Sequence, residues 1–244
     1  MPSYQSQVNM RDTDIDLDFW KHPEGVSIPY DPLKFLYVPD RVEALMVAEL
    51  ATLVYSYQAE NSDTENQITA AVMITMGGLL PGVLLHDHLA WSPNSKFPRV
   101  EFGTLGVQCY AGPGKPLDEP RIIQALTIDV AGQVVAVIED LVDLGRTARF
   151  VSQYLLSQGA RRAVLIAPYL KHTQLADEMV VISWGVVPSD TWIITPRERV
   201  ETLIKRVPFW QQQGATPETC ANNLMTIGYP GYLIDRYLPL VLER

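Results

Sequence analysis

The sequence has little cysteine and no long hydrophobic run. Its two cysteines, Cys109 and Cys220, stand far apart, and neither belongs to a Cys-x-x-Cys pair. We therefore expect reduced thiols rather than a disulfide framework or a zinc site. No apolar run reaches the roughly 18 residues that a membrane-spanning helix requires, and the N-terminus lacks the apolar centre of a secretion signal. These absences predict a cytoplasmic protein with no membrane partner.

Basic residues are also scarce. The chain has 19 Lys and Arg residues against 28 Asp and Glu residues, a formal net charge of −9. Because nucleic-acid binding needs a basic face that neutralises phosphates, this composition argues against a nucleic-acid partner. A small anionic ligand is compatible with it, since backbone N–H groups and a bound metal ion can supply positive charge locally.

The pattern of apolar segments indicates the fold class. Apolar residues make up 47% of the 244-residue chain, which is enough for a sizeable core. Buried strands are predicted near residues 70, 135 and 165 with helices between them, which is typical of parallel βαβ units. A loop rich in glycine and proline is predicted at 111–120, followed by a strand at 122–130. The sequence therefore predicts an α/β fold with an open, mostly parallel sheet and flanking helices.

The stretch VVAVIEDLVDLGRT, residues 134–147, carries the clearest chemistry. An apolar strand runs into Glu139 and Asp140, then Asp143 follows, and a glycine-containing turn ends at Thr147. Carboxylates at the end of a parallel strand project into the ligand crevice. There they can accept hydrogen bonds from vicinal sugar hydroxyls or lie near magnesium, while the turn and the start of the next helix suit a phosphate monoester. A 5-phosphorylated ribose offers both groups.

This stretch resembles the signature of the type I phosphoribosyltransferases, which is a hydrophobic strand, two acids, two apolar residues, Asp and Thr-Gly-x-Thr. Leu144 stands where the family usually has Thr or Ser. The segments VMITMGGLLPGVLL and SDTWIITP resemble the family's first active-site loop and its hood. The sequence looks closest to the purine branch, which includes the xanthine-guanine and hypoxanthine-guanine phosphoribosyltransferases.

The resemblance also implies a domain organisation. We expect an N-terminal arm at 1–37, a phosphoribosyltransferase-like core with a small hood at 38–200, and a C-terminal helical appendage at 201–244. Within the appendage, Thr216 is expected to cap a helix whose first residue is Pro217.

The activity that the resemblance implies is a magnesium-dependent transfer of phosphoribosyl from phosphoribosyl pyrophosphate to a purine base. Asp143 would be the catalytic residue, acting near N7 of the base. Glu139 and Asp140 would hold the ribose hydroxyls and magnesium. The other implied groups are the pyrophosphate loop Thr75, Met76, Gly77 and Gly78, the lid residues Gly112, Gly114 and Lys115, the 5-phosphate loop Leu144, Gly145, Arg146 and Thr147, and the base-binding residues Lys171, Trp192 and Ile193.

Two departures from the family leave other functions open. Met76 occupies a position where the family commonly has Arg or Lys, and Leu144 removes a hydroxyl from the phosphate-binding turn. A non-catalytic regulator that binds phosphoribosyl pyrophosphate, or a transferase for an unusual acceptor, would also fit. A receiver-like domain is a further alternative, although it lacks the Gly-x-Thr turn. Since family members are often dimers or tetramers, we expect a homo-oligomer.

Overall fold

The computed structural model describes residues 3–5, 22–62, 64–92, 94–112, 115–171 and 173–243. Its strands are β1 (Ser3–Gln5), β2 (Val26–Ser27), β3 (Lys34–Tyr37), β4 (Ala70–Thr75), β5 (Glu101–Gly112), β6 (Lys115–Gln124), β7 (Val134–Ile138), β8 (Leu141–Val142), β9 (Arg162–Leu170), β10 (Val180–Val186) and β11 (Thr191–Ile194). Its helices are α1 (Asp40–Glu60), α2 (Leu79–Ala90), α3 (Arg146–Ser157), α4 (Arg199–Gln212), α5 (Pro217–Ile227) and α6 (Gly231–Leu242), with a 3₁₀ helix at Thr173–Asp177.

The chain forms two compact units. Unit 1 contains β1 and residues 44–186, and unit 2 contains residues 22–43 and 187–243. This division differs from the arm, core and appendage expected from the sequence, because β3 pairs in parallel with β11 and joins the N-terminal segment to the C-terminal helices. Residues 6–21 of the expected arm lie outside the described residues.

Unit 1 is built on an eight-stranded sheet. Its order is β1-β10-β9-β7-β4-β5-β6, with β8 also paired to β9. Every pair is parallel except the β5–β6 hairpin. All five residues of β7 are buried, as expected for a central strand covered on both faces. The predicted open, mostly parallel sheet is therefore confirmed.

Helices α1 and α3 both bury apolar side chains, and α1 is also joined to the sheet by side-chain hydrogen bonds. The Gln58 side-chain amide donates to the carbonyl oxygen of Ile68 at 2.9 Å and accepts from its N–H at 2.7 Å, which fixes α1 beside the start of β4. Helix α3 buries Ala148, Val151 and Leu155, a stripe at helical spacing, in the main apolar core. These contacts together position α1 and α3 against the sheet.

The segment at 111–120 is a hairpin rather than the predicted loop. Strand β5 continues to Gly112 and β6 begins at Lys115. Strand β6 lies at the edge of the sheet, where a proline is tolerated because an N–H on the open side of the strand has no partner in the sheet. The strand predicted at 122–130 likewise ends early, at Gln124.

Unit 2 combines a three-stranded sheet, in the order β11-β3-β2, with helices α4, α5 and α6. Phe35, Trp210 and Leu224 lie in its apolar core. The predicted start of α5 is confirmed, since the Thr216 hydroxyl accepts a hydrogen bond from the Thr219 N–H at 3.1 Å and Pro217 is the first helical residue.

A buried carboxylate ties the N-terminal segment of unit 2 to α4. The side chain of Asp31 is fully buried and accepts hydrogen bonds from Arg206, from the Trp210 indole N–H at 2.6 Å and from the Leu33 N–H at 3.0 Å. Every donor aimed at this carboxylate would lose its acceptor if the side chain were shortened.

Replacing Asp31 with alanine should therefore lower the free energy of unfolding by about 3–5 kcal/mol, because the mostly buried Arg206 guanidinium would lose its counter-charge. Urea unfolding followed by circular dichroism measures this change. The exposed Asp235 of α6 is the control, and Asp235→Ala should change stability by about 0.5 kcal/mol or less. Equal losses in the two variants would mean that the buried carboxylate is not a special contact.

Candidate functional site

The two predicted phosphate-binding turns lie at the point where the strand order of the sheet reverses. From β4 the chain passes through α2 to β5 on one side, and from β7 it passes through α3 to β9 on the other. Strands β4 and β7 are paired neighbours, with Met73 beside Ile138. In open α/β sheets, ligands bind outside the carboxyl ends of strands at such a switch point. The fold therefore brings the turn after β4 and the acid pair after β7 to one crevice.

Glycine is required in both turns for different reasons. A Cβ atom at Gly78 would lie 1.9 Å from the carbonyl oxygen of Ile138, so only glycine allows the turn to pass the end of β7. Gly145 has a φ of +70°, the left-handed region that favours glycine, and it precedes the first residue of α3. Neither α2 nor α3, both fully described, has a side-chain cap, so the N–H groups at the start of α3 can receive an anion. At the start of α2 fewer N–H groups are available, because the Leu79 N–H donates to the Met76 carbonyl oxygen at 3.3 Å and Pro81 has none.

The acid pair directly follows β7 and is buried. Glu139 and Asp140 are 8% and 9% exposed. Burial raises the pKa of Glu139 to about 7, and a hydrogen bond from the Thr147 hydroxyl opposes this rise. The same hydroxyl lies 3.1 Å from the Cys109 thiol. Thr147 thus links Glu139, the predicted ribose-binding acid, to Cys109 of β5. The sequence did not indicate Cys109, because it lies far from Thr147 along the chain.

Two predicted site residues form an ion pair. The Lys171 ammonium lies 3.7 Å from a carboxylate oxygen of Asp143, and the lysine side chain is 10% exposed. Strands β8 and β9 cause this proximity, since Val142 pairs with Leu170 and the Lys171 N–H donates to the Val142 carbonyl oxygen. The residues that follow these two strands are consequently neighbours.

Two arginines hold the predicted 5-phosphate turn in place. Arg146 donates to the carbonyl oxygen of Leu117 at 3.1 Å, which joins the turn to β6. Arg149 donates to the carbonyl oxygen of Leu144 at 2.8 Å and to both carboxylate oxygens of Glu178 at 2.6 Å. No pattern in the sequence indicated Arg149, because its partners are its neighbours only in the folded chain.

The two departures from the family pattern lie at the surface. Met76 is 74% exposed and Leu144 is 66% exposed. Their side chains bring neither charge nor hydroxyl to the turns. Between Thr75, the last residue of β4, and Gly78, the turn can therefore bind an anion mainly through backbone N–H groups.

Two of the predicted lid residues lie at the adjoining ends of β5 and β6. Gly112 ends β5 and Lys115 begins β6. Gly114 lies outside the described residues. Their role as a lid stays a prediction.

Trp192 and Ile193 belong to unit 2. The Trp192 indole N–H donates to the Thr202 hydroxyl at 3.1 Å, and its ring centroid lies 5.7 Å from the Lys205 ammonium nitrogen. Ile193 is buried and pairs with Leu36 of β3. Both residues have structural partners within unit 2, and their role in base binding stays a prediction.

The acid pair fits a magnesium ion that completes its shell with water and substrate oxygens, since carboxylate oxygens are the ligands that magnesium prefers. Within the described parts of the chain, no three His, Cys, Asp or Glu residues are grouped to hold a metal by themselves. Among the same residues, no helix has both the length and the apolar character needed to cross a membrane.

Comparisons with known proteins agree on the fold. The sequence matches no protein-family model and no curated protein. A purine phosphoribosyltransferase from Pyrococcus horikoshii Ot3 is 19% identical, with a TM-score of 0.50 over 67% of this chain and 93% of that chain. A hypothetical protein from Neisseria gonorrhoeae, solved with bound ppGpp, is 17% identical, with a TM-score of 0.51 over 68% and 90%. The predicted phosphoribosyltransferase fold is confirmed.

The raised pKa of Glu139 predicts a pH-dependent stability. Between about pH 4.5 and about 7 the folded protein keeps a proton that the unfolded chain has lost, so the free energy of unfolding falls as pH rises through this range. Glu139→Gln cannot ionise and should remove up to about 3 kcal/mol of this fall. Urea unfolding at several pH values measures the difference.

The exposed Glu119 provides the control, and Glu119→Gln should keep the parent's pH profile. Burial also raises the pKa of Glu43 to about 7, so part of the fall should persist in Glu139→Gln. An unchanged profile in Glu139→Gln would show that this carboxyl is ionised in the folded protein.

Proposed function

We propose that this chain is a magnesium-dependent purine phosphoribosyltransferase, which transfers phosphoribosyl from phosphoribosyl pyrophosphate to a purine base and releases pyrophosphate. The observation that carries the proposal is the meeting of two glycine turns and a buried acid pair at the β4–β7 switch point. Two turns suit a ligand with two separate phosphate groups, and the acids suit the sugar between them. The fold shared with a purine phosphoribosyltransferase supports the same assignment.

The acid pair would bind the ribose. Glu139 and Asp140 can accept hydrogen bonds from the two ring hydroxyls, which relieves the cost of burying their carboxylates. The pair would also hold a magnesium ion, which supplies positive charge near the departing pyrophosphate. As the bond from C1 to pyrophosphate weakens, the ribose gains oxocarbenium character, and the carboxylates stabilise that developing charge.

The pyrophosphate would lie at the turn after β4, where the Gly77 N–H and the N-terminal end of α2 can interact with its oxygens, while the Gly78 N–H donates to the Ile74 carbonyl oxygen at 2.7 Å and so shapes the turn. The 5-phosphate would lie at the turn before α3, where Gly145 opens the backbone and Arg149 holds the carbonyl of Leu144. Each phosphate then meets a helix N-terminus, whose partial positive charge favours an anion.

Asp143 and Lys171 would serve the base. The carboxylate of Asp143 can take or stabilise the N7 proton as the glycosidic bond forms. The ammonium group of Lys171, 3.7 Å away, holds that carboxylate by charge attraction and can donate to an exocyclic oxygen of the base. An oxopurine carries both a ring nitrogen N7 and an exocyclic oxygen, so we propose oxopurines as the substrate class.

A regulator that binds phosphoribosyl pyrophosphate without turnover is the second candidate. The exposed Met76 and Leu144 favour it, because neither side chain can stabilise a departing or bound phosphate. The Neisseria gonorrhoeae protein with bound ppGpp has a similar fold, which is consistent with a regulatory nucleotide ligand.

Pyrophosphate release distinguishes the two candidates. The protein is incubated with magnesium, phosphoribosyl pyrophosphate and, in turn, hypoxanthine, guanine, xanthine and adenine. A transferase should release pyrophosphate with at least one oxopurine, since the Asp143–Lys171 pair can bind its ring nitrogen and oxygen. Binding of phosphoribosyl pyrophosphate by calorimetry without release in any mixture would support the regulator instead.

Asp143→Asn tests the catalytic assignment. The amide keeps the shape of the side chain but cannot take a proton, so kcat should fall by about 10²–10⁴-fold. The affinity for phosphoribosyl pyrophosphate should stay within a few fold, because its contacts come from other residues. The exposed Asp177 of the 3₁₀ helix is the control, and Asp177→Asn should behave as the parent. Parent-like turnover in Asp143→Asn would rule out Asp143 as the base.

A further inference from the structure

Arg149 of α3 makes two contacts that together fix its direction. Its Nε and Nη2 atoms donate to the two carboxylate oxygens of Glu178, each at 2.6 Å, and its Nη1 atom donates to the carbonyl oxygen of Leu144 at 2.8 Å. Because the guanidinium is planar and rigid, two bonds to one carboxylate also fix the direction of the third nitrogen. Glu178 therefore orients the contact that Arg149 makes with the turn before α3.

Helix formation alone does not favour an arginine at this position. Arg149 is the fourth residue of α3, and the first turn of that helix contains no acid. A cation near a helix N-terminus opposes the helix dipole. Glu178, which directly follows the 3₁₀ helix Thr173–Asp177, offsets this charge from a different part of the chain. The position of Arg149 thus indicates a role in the fold around the turn rather than in the helix itself.

The carbonyl group that Arg149 holds determines where the next N–H points. The peptide between Leu144 and Gly145 is trans, and the C=O and N–H of a planar trans peptide point in opposite directions. Because Arg149 holds the carbonyl oxygen of Leu144 on one side of the turn, the Gly145 N–H is held on the other side. The ion pair thereby controls a backbone donor that neither of its side chains touches.

The N–H that is controlled in this way belongs to a buried residue. Gly145 is buried, and its N–H has no hydrogen-bond partner among the described residues. Buried backbone N–H groups nearly always have a partner, because an unpaired one is costly. Gly145 precedes the first residue of α3, where the helix dipole favours an anion. An anionic ligand at the start of α3 would therefore be the natural acceptor for this N–H.

Leu175 also restricts the turn. A Cβ atom at Gly145 would lie 3.2 Å from the Arg149 Nη1 atom and 3.2 Å from a methyl carbon of Leu175. Leu175 belongs to the 3₁₀ helix that precedes Glu178, and it is fully buried in the main core. The segment that ends at Glu178 therefore contacts the turn through an apolar side chain and also carries the carboxylate that orients Arg149.

The pairing of Arg149 argues against direct binding of the phosphate by this side chain. A phosphate near the guanidinium would meet the Glu178 carboxylate, whose negative charge repels it. The two bonds to Glu178 also occupy the edge formed by Nε and Nη2, which could otherwise bind a phosphate with two parallel bonds. Arg149 is therefore better placed to act through the backbone of the turn.

We propose that Glu178 and Arg149 are positioning residues for the 5-phosphate: together they hold the carbonyl group of Leu144 so that the Gly145 N–H faces the phosphate monoester of the substrate. This backbone contact compensates for the hydroxyl that Leu144 lacks. The inference rests on the proposed function, since it deepens the assignment of this turn to the 5-phosphate.

Calorimetry with ribose 5-phosphate tests the pair, because this probe carries only the phosphate assigned to the turn. Glu178→Gln keeps the size of the side chain but cannot make both charged bonds to Arg149. It should bind the probe about 10- to 100-fold more weakly, which corresponds to the loss of one N–H contact with a charged phosphate. Inorganic pyrophosphate with magnesium, assigned to the turn after β4, should bind to Glu178→Gln as it binds to the parent.

The control is Glu65→Gln, which removes the ion pair of Glu65 with Arg161, and this variant should bind both probes as the parent does. The sign of the change in Glu178→Gln separates positioning from direct binding. If Arg149 bound the phosphate itself, removing the competing carboxylate would strengthen binding, and that result overturns the proposal. Parent-like binding of ribose 5-phosphate overturns it as well, since Glu178 and Arg149 would then form an ordinary surface ion pair.

A double variant tests whether the two residues act as one unit. Arg149→Met removes the contact with the Leu144 carbonyl, so adding Glu178→Gln should weaken the binding of ribose 5-phosphate no further. Both side chains are partly exposed, at 33% and 47%, so the variants should fold like the parent. Losses that add up in the double variant overturn the shared role.

Backbone ¹⁵N relaxation measures the positioning of the turn without any ligand. The order parameter of the Gly145 N–H should be about 0.85 in the parent and in Glu65→Gln, and it should fall below about 0.6 in Glu178→Gln. An unchanged order parameter in Glu178→Gln overturns the positioning role. If the parent binds neither probe, the proposed function fails, and a fall confined to Glu178→Gln still supports the control of this N–H by the ion pair.

Discussion

The site depends on one close approach between two backbones, that of Gly78 to the carbonyl oxygen of Ile138. A Cβ atom at position 78 would lie 1.9 Å from that oxygen, so any side chain would push the turn after β4 away from the end of β7. Parallel pairing keeps the two strands about 4.8 Å apart. With glycine between them, the acid pair and the N-termini of α2 and α3 open into the same crevice.

The crevice combines a buried acid pair with two turns in which Met76 and Leu144 bring no charge. Glu139 and Asp140 are nearly buried, and burial disfavours the charged form of Glu139, so a hydroxyl donor or a cation at this pair would relieve the cost of burying the carboxylates. The two turns beside it contribute backbone N–H groups, since Met76 and Leu144 have no charge. The magnesium expected at the acid pair would supply further positive charge to a phosphorylated ligand.

Unit 2 shows how distant segments combine. The N-terminal strand β3 finds its partner in β11, more than a hundred residues later, and the Asp31 carboxylate bonds to Arg206 and Trp210 of α4. No local pattern indicates such a pairing, because a two-residue and a four-residue strand carry too little periodicity. The sequence therefore predicted an arm and an appendage where the structure has one packed unit.

The sequence by itself determined the features that depend on neighbouring residues. The run from Val134 to Thr147 was enough to predict a buried strand, an acid pair, a phosphate turn and the start of a helix, because periodicity, glycine and capping act locally. Only the tertiary structure decided the rest. The Lys171–Asp143 pair, the Cys109–Thr147 contact and the hairpin at 111–120 arise from strand order and register, which bring together residues that no spacing along the chain relates.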